Sequence, residues 1–304
     1  MRKSDISLGE TASGERVLKL GLPKGSLEQY TLALFARSGW KVNVGSRSYF
    51  PTVNDPELAI TISRAQEISR YVADGVLDAG ITGKDWRLEN QSDVEVIKEL
   101  VYSKTSAAPC RWVLAVRGDG SIKSAGDLEG KKVATELPGV TARWFKEKGV
   151  NVKVEFSWGA TEAKVASGLA DAIVEVTETG GTIKAHGLII LDEVLVTQTE
   201  LMANKKAMED PFKKSKVRQI ALLLNAALTA ESLAGLKMNA RERDVGALVA
   251  ILPSLKAPTV ARLHDTDWLS VETVVPVDRV RDLIPALLEL GAEGIIEYPL
   301  NKVV

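Results

Sequence analysis

Residues 162–188 read EAKVASGLADAIVEVTETGGTIKAHGL. Within them Ala172, Ile173, Val174 and Val176 form a small apolar run with strand character, and the run ends in Thr177-Glu178-Thr179-Gly180-Gly181-Thr182. A short helical pattern then opens. A strand that enters a helix through a Gly/Thr turn can hold a phosphate. The glycines let the backbone come close, the N–H groups point at the anion, and the helix dipole favours negative charge. Glu175 and Glu178 flank the turn. Carboxylates beside a phosphate cradle suit a ligand that also carries hydroxyls or a Mg²⁺ ion, such as a sugar phosphate. The competing reading is a plain strand–turn–helix connection in which TGGT supplies turn geometry only. On this stretch alone both stand.

The same alternation runs outward on both sides. Residues 17–22 read as a strand, 23–26 as a turn with Ser26 placed to cap a helix, and 27–38 as that helix, stopping at Gly39. Residues 58–62 make a second strand. Ser63 and Glu67 resemble a capping box stretched by one residue, and a helix follows to Gly75. Residues 77–83 are a third strand that spills into Lys84 and Asp85. Strand–helix–strand–helix–strand predicts a parallel sheet with helices on its faces. Ligands of such sheets bind at the carboxyl ends of the strands, where Lys24, Arg64, Thr82 and Asp85 fall.

A second α/β unit begins near Arg111, with strands at 112–116, 133–136, 152–156 and 171–176, then 188–191 and 194–196. A late strand near 199–203 is expected to return to the first unit, leaving a ligand cleft between two lobes. Residues 204–216, NKKAMEDPFKKSK, lose apolar period and read as a linker, with a helix at 216–228. A compact third unit follows: strand 233–238, helix 241–252, strands 259–263 and 268–275, helix 277–290, strand 294–298. That βαββαβ order is ferredoxin-like.

Composition narrows the function. The chain has 304 residues, 45% apolar and 26% charged, with 39 basic and 40 acidic side chains and a net charge of −1. This is globular material for two or three domains, without the basic excess of a nucleic-acid binder. Cys110 is the single cysteine, so there is no internal disulfide, and a reducing compartment is expected. His186 and His264 are the only histidines, which argues against a Cys/His zinc site. No apolar run approaches the ~18 residues of a membrane span. The polar start, residues 1–16, has no apolar signal region and is expected to be a flexible tail.

Four segments carry a family resemblance: LPKGSL (22–27), GVLDAGITGKDW (75–86), residues 159–188, and APTVARLHDTDWLSVETVVP with LLELGAEGII (257–276 and 287–296). The most specific pattern is Glu162, Gly168, Ala170, Glu175, Thr179, Gly180 and Thr182 at their spacings. The chain resembles the long-form ATP phosphoribosyltransferases, the first enzymes of histidine biosynthesis, from about residue 17 to its end. It departs from them at Glu175, more often Asp, at Ile183, usually Leu or Met, and at Asn239, often acidic.

The resemblance implies an α/β fold of two periplasmic-binding-protein-like lobes and a C-terminal ferredoxin-like domain related to ACT domains. Lobe I would span 17–108, completed by about 196–212. Lobe II would span 109–195, and the regulatory domain 213–304. It implies attack of adenine N1 of ATP on C1 of phosphoribosyl pyrophosphate, with Mg²⁺ as cofactor and no covalent nucleophile. Thr177, Glu178, Thr179, Gly180, Gly181 and Thr182 would hold the 5-phosphate, and Glu175 the ribose hydroxyls. Lys24, Arg64 and Asp85, with Glu136 and Glu162 as further candidates, would meet ATP or the pyrophosphate. Asn239, Leu255, Thr259 and Gly294 fall at the family's regulatory histidine pocket. A cytoplasmic homo-oligomer, dimer to hexamer, inhibited by histidine, is expected. Two other functions remain compatible with the lobes: a non-enzymatic binding protein, and a phosphoribosyltransferase acting on another base. Binding of phosphoribosyl pyrophosphate discriminates the first, and the ATP requirement the second.

Overall fold

The computed structural model describes residues 16–45, 49–102, 109–253 and 257–304. They divide into two compact units, one within Met1–Ala33 and Trp40–Ala221, the other Leu34–Gly39 and Leu222–Val304.

The first unit opens with β1 (Leu18–Lys24), α1 (Glu28–Ser38), the short pair β2 (Val42–Asn43) and β3 (Thr52–Val53), and β4 (Leu58–Arg64). There follow α2 (Ala65–Ala73), β5 (Ala79–Gly83), α3 (Lys84–Glu89) and β6 (Glu95–Leu100). Next come β7 (Cys110–Arg117), β8 (Lys132–Thr135), α4 (Pro138–Glu147), β9 (Lys153–Phe156), α5 (Thr161–Ala166), β10 (Ala172–Thr177) and α6 (Gly181–Ala185). The series closes with β11 (Leu188–Thr197), β12 (Thr199–Ala203) and α7 (Pro211–Glu231), the C-terminal parts of α1 and α7 being counted with the second unit. One five-stranded sheet has the order β4-β1-β5-β12-β6 and the other β11-β7-β10-β8-β9. Only Gln198 separates β11 from β12, so the chain passes from one sheet to the other there.

The expected parallel order holds for β1, β4 and β5. Beyond them the first sheet departs from it, because β12 runs antiparallel to both β5 and β6. A strand arriving directly from the other sheet has no crossover helix to turn it parallel. Glycine sets the spacing of sheet and helix: a Cβ at Gly80 would lie 2.4 Å from Ile68 Cγ2, so α2 rests directly on β5.

Three expectations for the first unit are corrected. Residues 204–216 are not a linker throughout, because α7 starts at Pro211. Asp210 Oδ1 accepts the amides of Phe212 (2.8 Å) and Lys213 (3.2 Å), and proline at the first helical position forfeits no bond. The charges that hid the helix are used in ion pairs: Lys213 with Asp78 at 2.7 Å, and Lys216 with Asp55 at 2.7 Å and Glu57 at 2.6 Å. The stretched capping box does not form, since Arg64 occupies the N-cap of α2 and no side chain caps it. Residues 188–191 and 194–196 are one strand, β11, interrupted by register shifts.

The second unit contains β13 (Leu233–Arg241), α8 (Val245–Ile251), β14 (Thr259–Arg262), β15 (Trp268–Pro276), α9 (Val277–Glu289) and β16 (Glu293–Pro299). Its antiparallel sheet has the order β14-β15-β13-β16, the βαββαβ topology expected. Leu236, Met238 and Val271 from the sheet pack with Leu248, Leu283 and Leu287 from the helices. The helix expected at 241–252 begins only at Val245, because β13 continues to Arg241 opposite Trp268.

Candidate active site

The strand ends of both sheets in the first unit meet at a cleft of about 910 Å³. Lys24 ends β1 and Arg64 ends β4, and the parallel register sets them opposite one another. Two cations side by side repel unless an anion lies between or above them. Both line the cleft, with Asp85, Glu136, Thr177, Glu178, Thr179, Gly181 and Thr182. Gly180, Glu162 and Glu175 do not reach its wall, so the structure gathers most but not all of the expected residues.

The turn after β10 is built from its own side chains. Thr177 Oγ1 accepts the Gly180 amide at 2.8 Å, and Gly180 takes φ = +78°, a conformation costly for residues with a Cβ. The Thr177 hydroxyl is buried and shapes the turn. Thr179 and Thr182 are exposed at the cleft. Gly181, Thr182 and Ile183 begin α6, where amides precede the helical hydrogen-bond ladder. On the facing sheet, the Pro23–Ser26 turn is closed by Glu28, whose Oε2 accepts the Gly25 amide at 3.2 Å. Lys24 Nζ stands 4.6 Å from the centre of the Tyr49 ring.

The carboxyl groups at and behind this surface have weakened acidity. Asp85 is nearly buried; its Oδ2 accepts the Trp112 indole N–H at 2.8 Å and its Oδ1 the Trp86 amide at 2.9 Å. Burial raises its pKa despite these donors. About half of its acceptor capacity is thus spent inside the protein. Gly83 makes this possible, because a Cβ there would lie 2.0 Å from Asp85 Oδ1. Glu136 is raised by burial and then by the charge of Asp85. Glu175 is raised to about 7, chiefly by burial, against the Thr161 hydroxyl and the Val176 amide, with Glu162 and Glu136 adding repulsion.

Glu175 gives a measurable signature. Its folded form keeps the proton to about pH 7, while the unfolded chain releases it near the ordinary carboxyl value of 4.5. Its contribution to stability is therefore full below 4.5 and is lost as pH rises toward 7. The loss is on the order of 3 kcal/mol for a shift of this size. Urea unfolding at pH 5 and pH 8 should show Glu175→Gln, neutral throughout, losing that much less stability than the wild type. Equal pH slopes in the two proteins would rule the assignment out.

Among the described residues no group of three or more His, Cys, Asp or Glu side chains has the arrangement of a metal cage. The oxygens of Glu136 and Asp85 suit a hard cation that arrives on a phosphate and keeps most of its waters. His186 Nδ1 lies 2.9 Å from the Thr182 carbonyl oxygen on the exposed side of α6 and does not line the cleft.

In the second unit Asn239 and Gly294 are neighbours. Asn239 pairs with Glu293, and its Nδ2 is 3.7 Å from where a Cβ on Gly294 would sit. Thr259 lies apart on β14, with β15 between that strand and β13. Leu255 lies outside the described residues. A shallow cleft of about 670 Å³ in this unit is lined by Arg241, Arg262 and Trp268, and by none of these residues.

Sequence reasoning missed Trp112 and Thr197, whose hydroxyl oxygen accepts the Asp85 amide at 3.1 Å on the cleft wall. Trp112 carried one usable signal, an indole N–H in an apolar strand that must find a partner.

The family model for ATP phosphoribosyltransferase (HisG) matches residues 64–226, and that for the HisG C-terminal domain matches residues 230–302. An ATP phosphoribosyltransferase from Desulfatibacillum aliphaticivorans is 64% identical over 286 residues, covering 94% of this chain and 98% of that one. One from Solidesulfovibrio magneticus is 61% identical over 292 residues, covering 96% and 100%. Among solved structures, the ATP phosphoribosyl transferase (HisG:HisZ) complex from Thermotoga maritima superposes with a TM-score of 0.59 at 28% identity, over 69% of this chain and 99% of that one. With both family models matched in sequence order and relatives aligned along almost their whole length, the chain belongs to the ATP phosphoribosyltransferase family.

Proposed function

We propose that the chain catalyses its family's reaction, transfer of the phosphoribosyl group of phosphoribosyl pyrophosphate to N1 of ATP, in histidine biosynthesis. The carrying observation is one cleft with a Thr/Gly turn and flanking carboxyls on one wall and the adjacent cations Lys24 and Arg64 on the other. The N1 lone pair forms the new bond to C1, and the C1–O bond breaks with its electron pair leaving on pyrophosphate. No covalent nucleophile is needed, and the protein contributes positioning and charge stabilisation.

In this reading Thr179, Thr182 and the amides of the 177–182 turn hold the 5-phosphate. Glu178, on the cleft wall, accepts the ribose hydroxyls, and Glu175, set back from the wall, acts from behind it. Lys24 and Arg64 hold pyrophosphate oxygens and stabilise them as they leave. Asp85 and Glu136, with Glu162 behind them, face the ATP side. Mg²⁺, when bound with the pyrophosphate, would supply positive charge to offset part of the charge that develops there. The cleft is formed by lobe I, residues 17–108 completed by about 196–212, and lobe II, residues 109–195.

Residues 213–304 form the regulatory part, which binds histidine and supports a homo-oligomer. Asn239 beside Gly294 supports a ligand contact, although an amide forms no ion pair with a bound cation. No helix among the described residues is long and apolar enough to cross a membrane, and we place the protein in the cytoplasm.

The test is formation of phosphoribosyl-ATP, followed by its absorbance, from ATP, phosphoribosyl pyrophosphate and Mg²⁺. No product with ATP would exclude the reaction. Millimolar histidine should lower the rate, and an unchanged rate would remove the regulatory assignment alone.

A further inference from the structure

We infer that α3 is the bearing on which the two sheets of the first unit are set, and that Glu89 is a positioning residue for the transfer reaction. The inference rests on the functional reading above.

The starting point is a helix that does not cap itself. Leu137, the N-cap of α4, is apolar, makes no side-chain cap, and is followed by Pro138, which has no N–H. The first amides available are those of Gly139 and Val140. Both are taken by one carboxylate from the other sheet's side of the cleft: Gly139 N–H donates to Glu89 Oε1 and Val140 N–H to Glu89 Oε2, each at 2.8 Å. A carboxylate suits this place twice, by hydrogen bonding and by facing the positive end of the helix dipole. The contact is sized for glycine, since a Cβ at position 139 would lie 3.1 and 3.2 Å from the two carboxylate oxygens. From the same helix Arg143 donates to the Leu88 carbonyl at 2.7 Å.

The remaining residues of α3 complete the bearing. Asp85 at its start accepts the Trp112 indole from β7. Arg87 points the other way and makes two bonds, 2.6 and 2.9 Å, to Glu200 of β12, whose side chain is 1% exposed. Six residues therefore hold one sheet through Arg87 and the other through Asp85, Leu88 and Glu89. The same elements carry the chemistry. Asp85 lies in α3, and Glu136 stands between β8 and α4. The spacing between Lys24 and Arg64 on one wall and the 177–182 turn on the other is set where α3 meets α4.

The test uses the full chain with Glu89→Gln, which keeps one acceptor and the side-chain shape, and Glu89→Ala. Ribose 5-phosphate probes the turn on one wall alone, whereas the reaction needs both walls. Both variants should bind ribose 5-phosphate within about twofold of wild type, while kcat/KM falls about tenfold in Glu89→Gln and about a hundredfold in Glu89→Ala, as expected when reacting groups are misplaced by an ångström or so. Thermal melting separates this from unfolding, and if the alanine variant does not fold, the glutamine variant decides. Unchanged kcat/KM in the folded variants would overturn the inference. So would ribose 5-phosphate affinity falling in parallel with kcat/KM, which would mark damage within one lobe. A wild type that does not bind ribose 5-phosphate would instead refute the assignment of the turn, and the kinetic comparison would still decide the role of Glu89.

Discussion

Arg64→Ala should lower kcat/KM by about 10²- to 10³-fold, the range seen when a preorganised donor to developing charge is removed. Arg64 ends β4 directly opposite Lys24 on β1. Its side chain is exposed and caps no helix, so the substitution leaves no buried partner behind. The melting temperature should stay within a few degrees, or rise slightly as repulsion with Lys24 is relieved. The loss should appear in kcat as well as KM, because charge on the leaving pyrophosphate is greatest in the transition state. Arg64→Lys keeps the charge but not the planar fork of donors, and it should recover only part of the activity. Steady-state kinetics with varied phosphoribosyl pyrophosphate provide the check. A loss below about threefold, against that expected range, would remove Arg64 from the site.

Local chemistry was the legible part of this protein. The turn at 177–182 could be read because a strand, two glycines and three threonines lie within a few residues. The βαββαβ order of the second unit was likewise written in alternation and turn residues. The direction of β12 was not, because a short buried strand reads the same whichever way it pairs. The strand β6 was missed because most of EVIKEL is exposed, so it carries no apolar run. The helix starting at Pro211 was hidden by lysines whose acidic partners lie far away in sequence, although Asp210-Pro211 was itself a start signal.

Within the site the same division holds. Lys24 and Arg64 were recognised singly, but their adjacency depends on strand register. The Asp85–Trp112, Glu89–Gly139 and Arg87–Glu200 contacts join residues 27, 50 and 113 positions apart. No periodicity reports such pairings. The raised pKa of Glu175 also arises from burial among distant carboxyls, which composition does not reveal.

Thr179 bears most directly on the central claim, that the turn holds the 5-phosphate of the transferred group. Its hydroxyl is exposed at the cleft and lies 3.4 Å from the Gly181 amide, a long contact that leaves it available to a ligand. Alanine preserves the backbone and removes that hydroxyl together with the exposed methyl beside it. A hydrogen bond to a charged phosphate contributes about 1.5–3 kcal/mol, which corresponds to a loss on the order of ten- to a hundredfold. The decisive measurement is phosphoribosyl-ATP formation by wild type and Thr179→Ala, with melting temperatures recorded on the same samples. The account predicts product from the wild type and a loss of that size in a normally folded variant. A wild type that forms no phosphoribosyl-ATP, or a variant as active as the wild type, would contradict it.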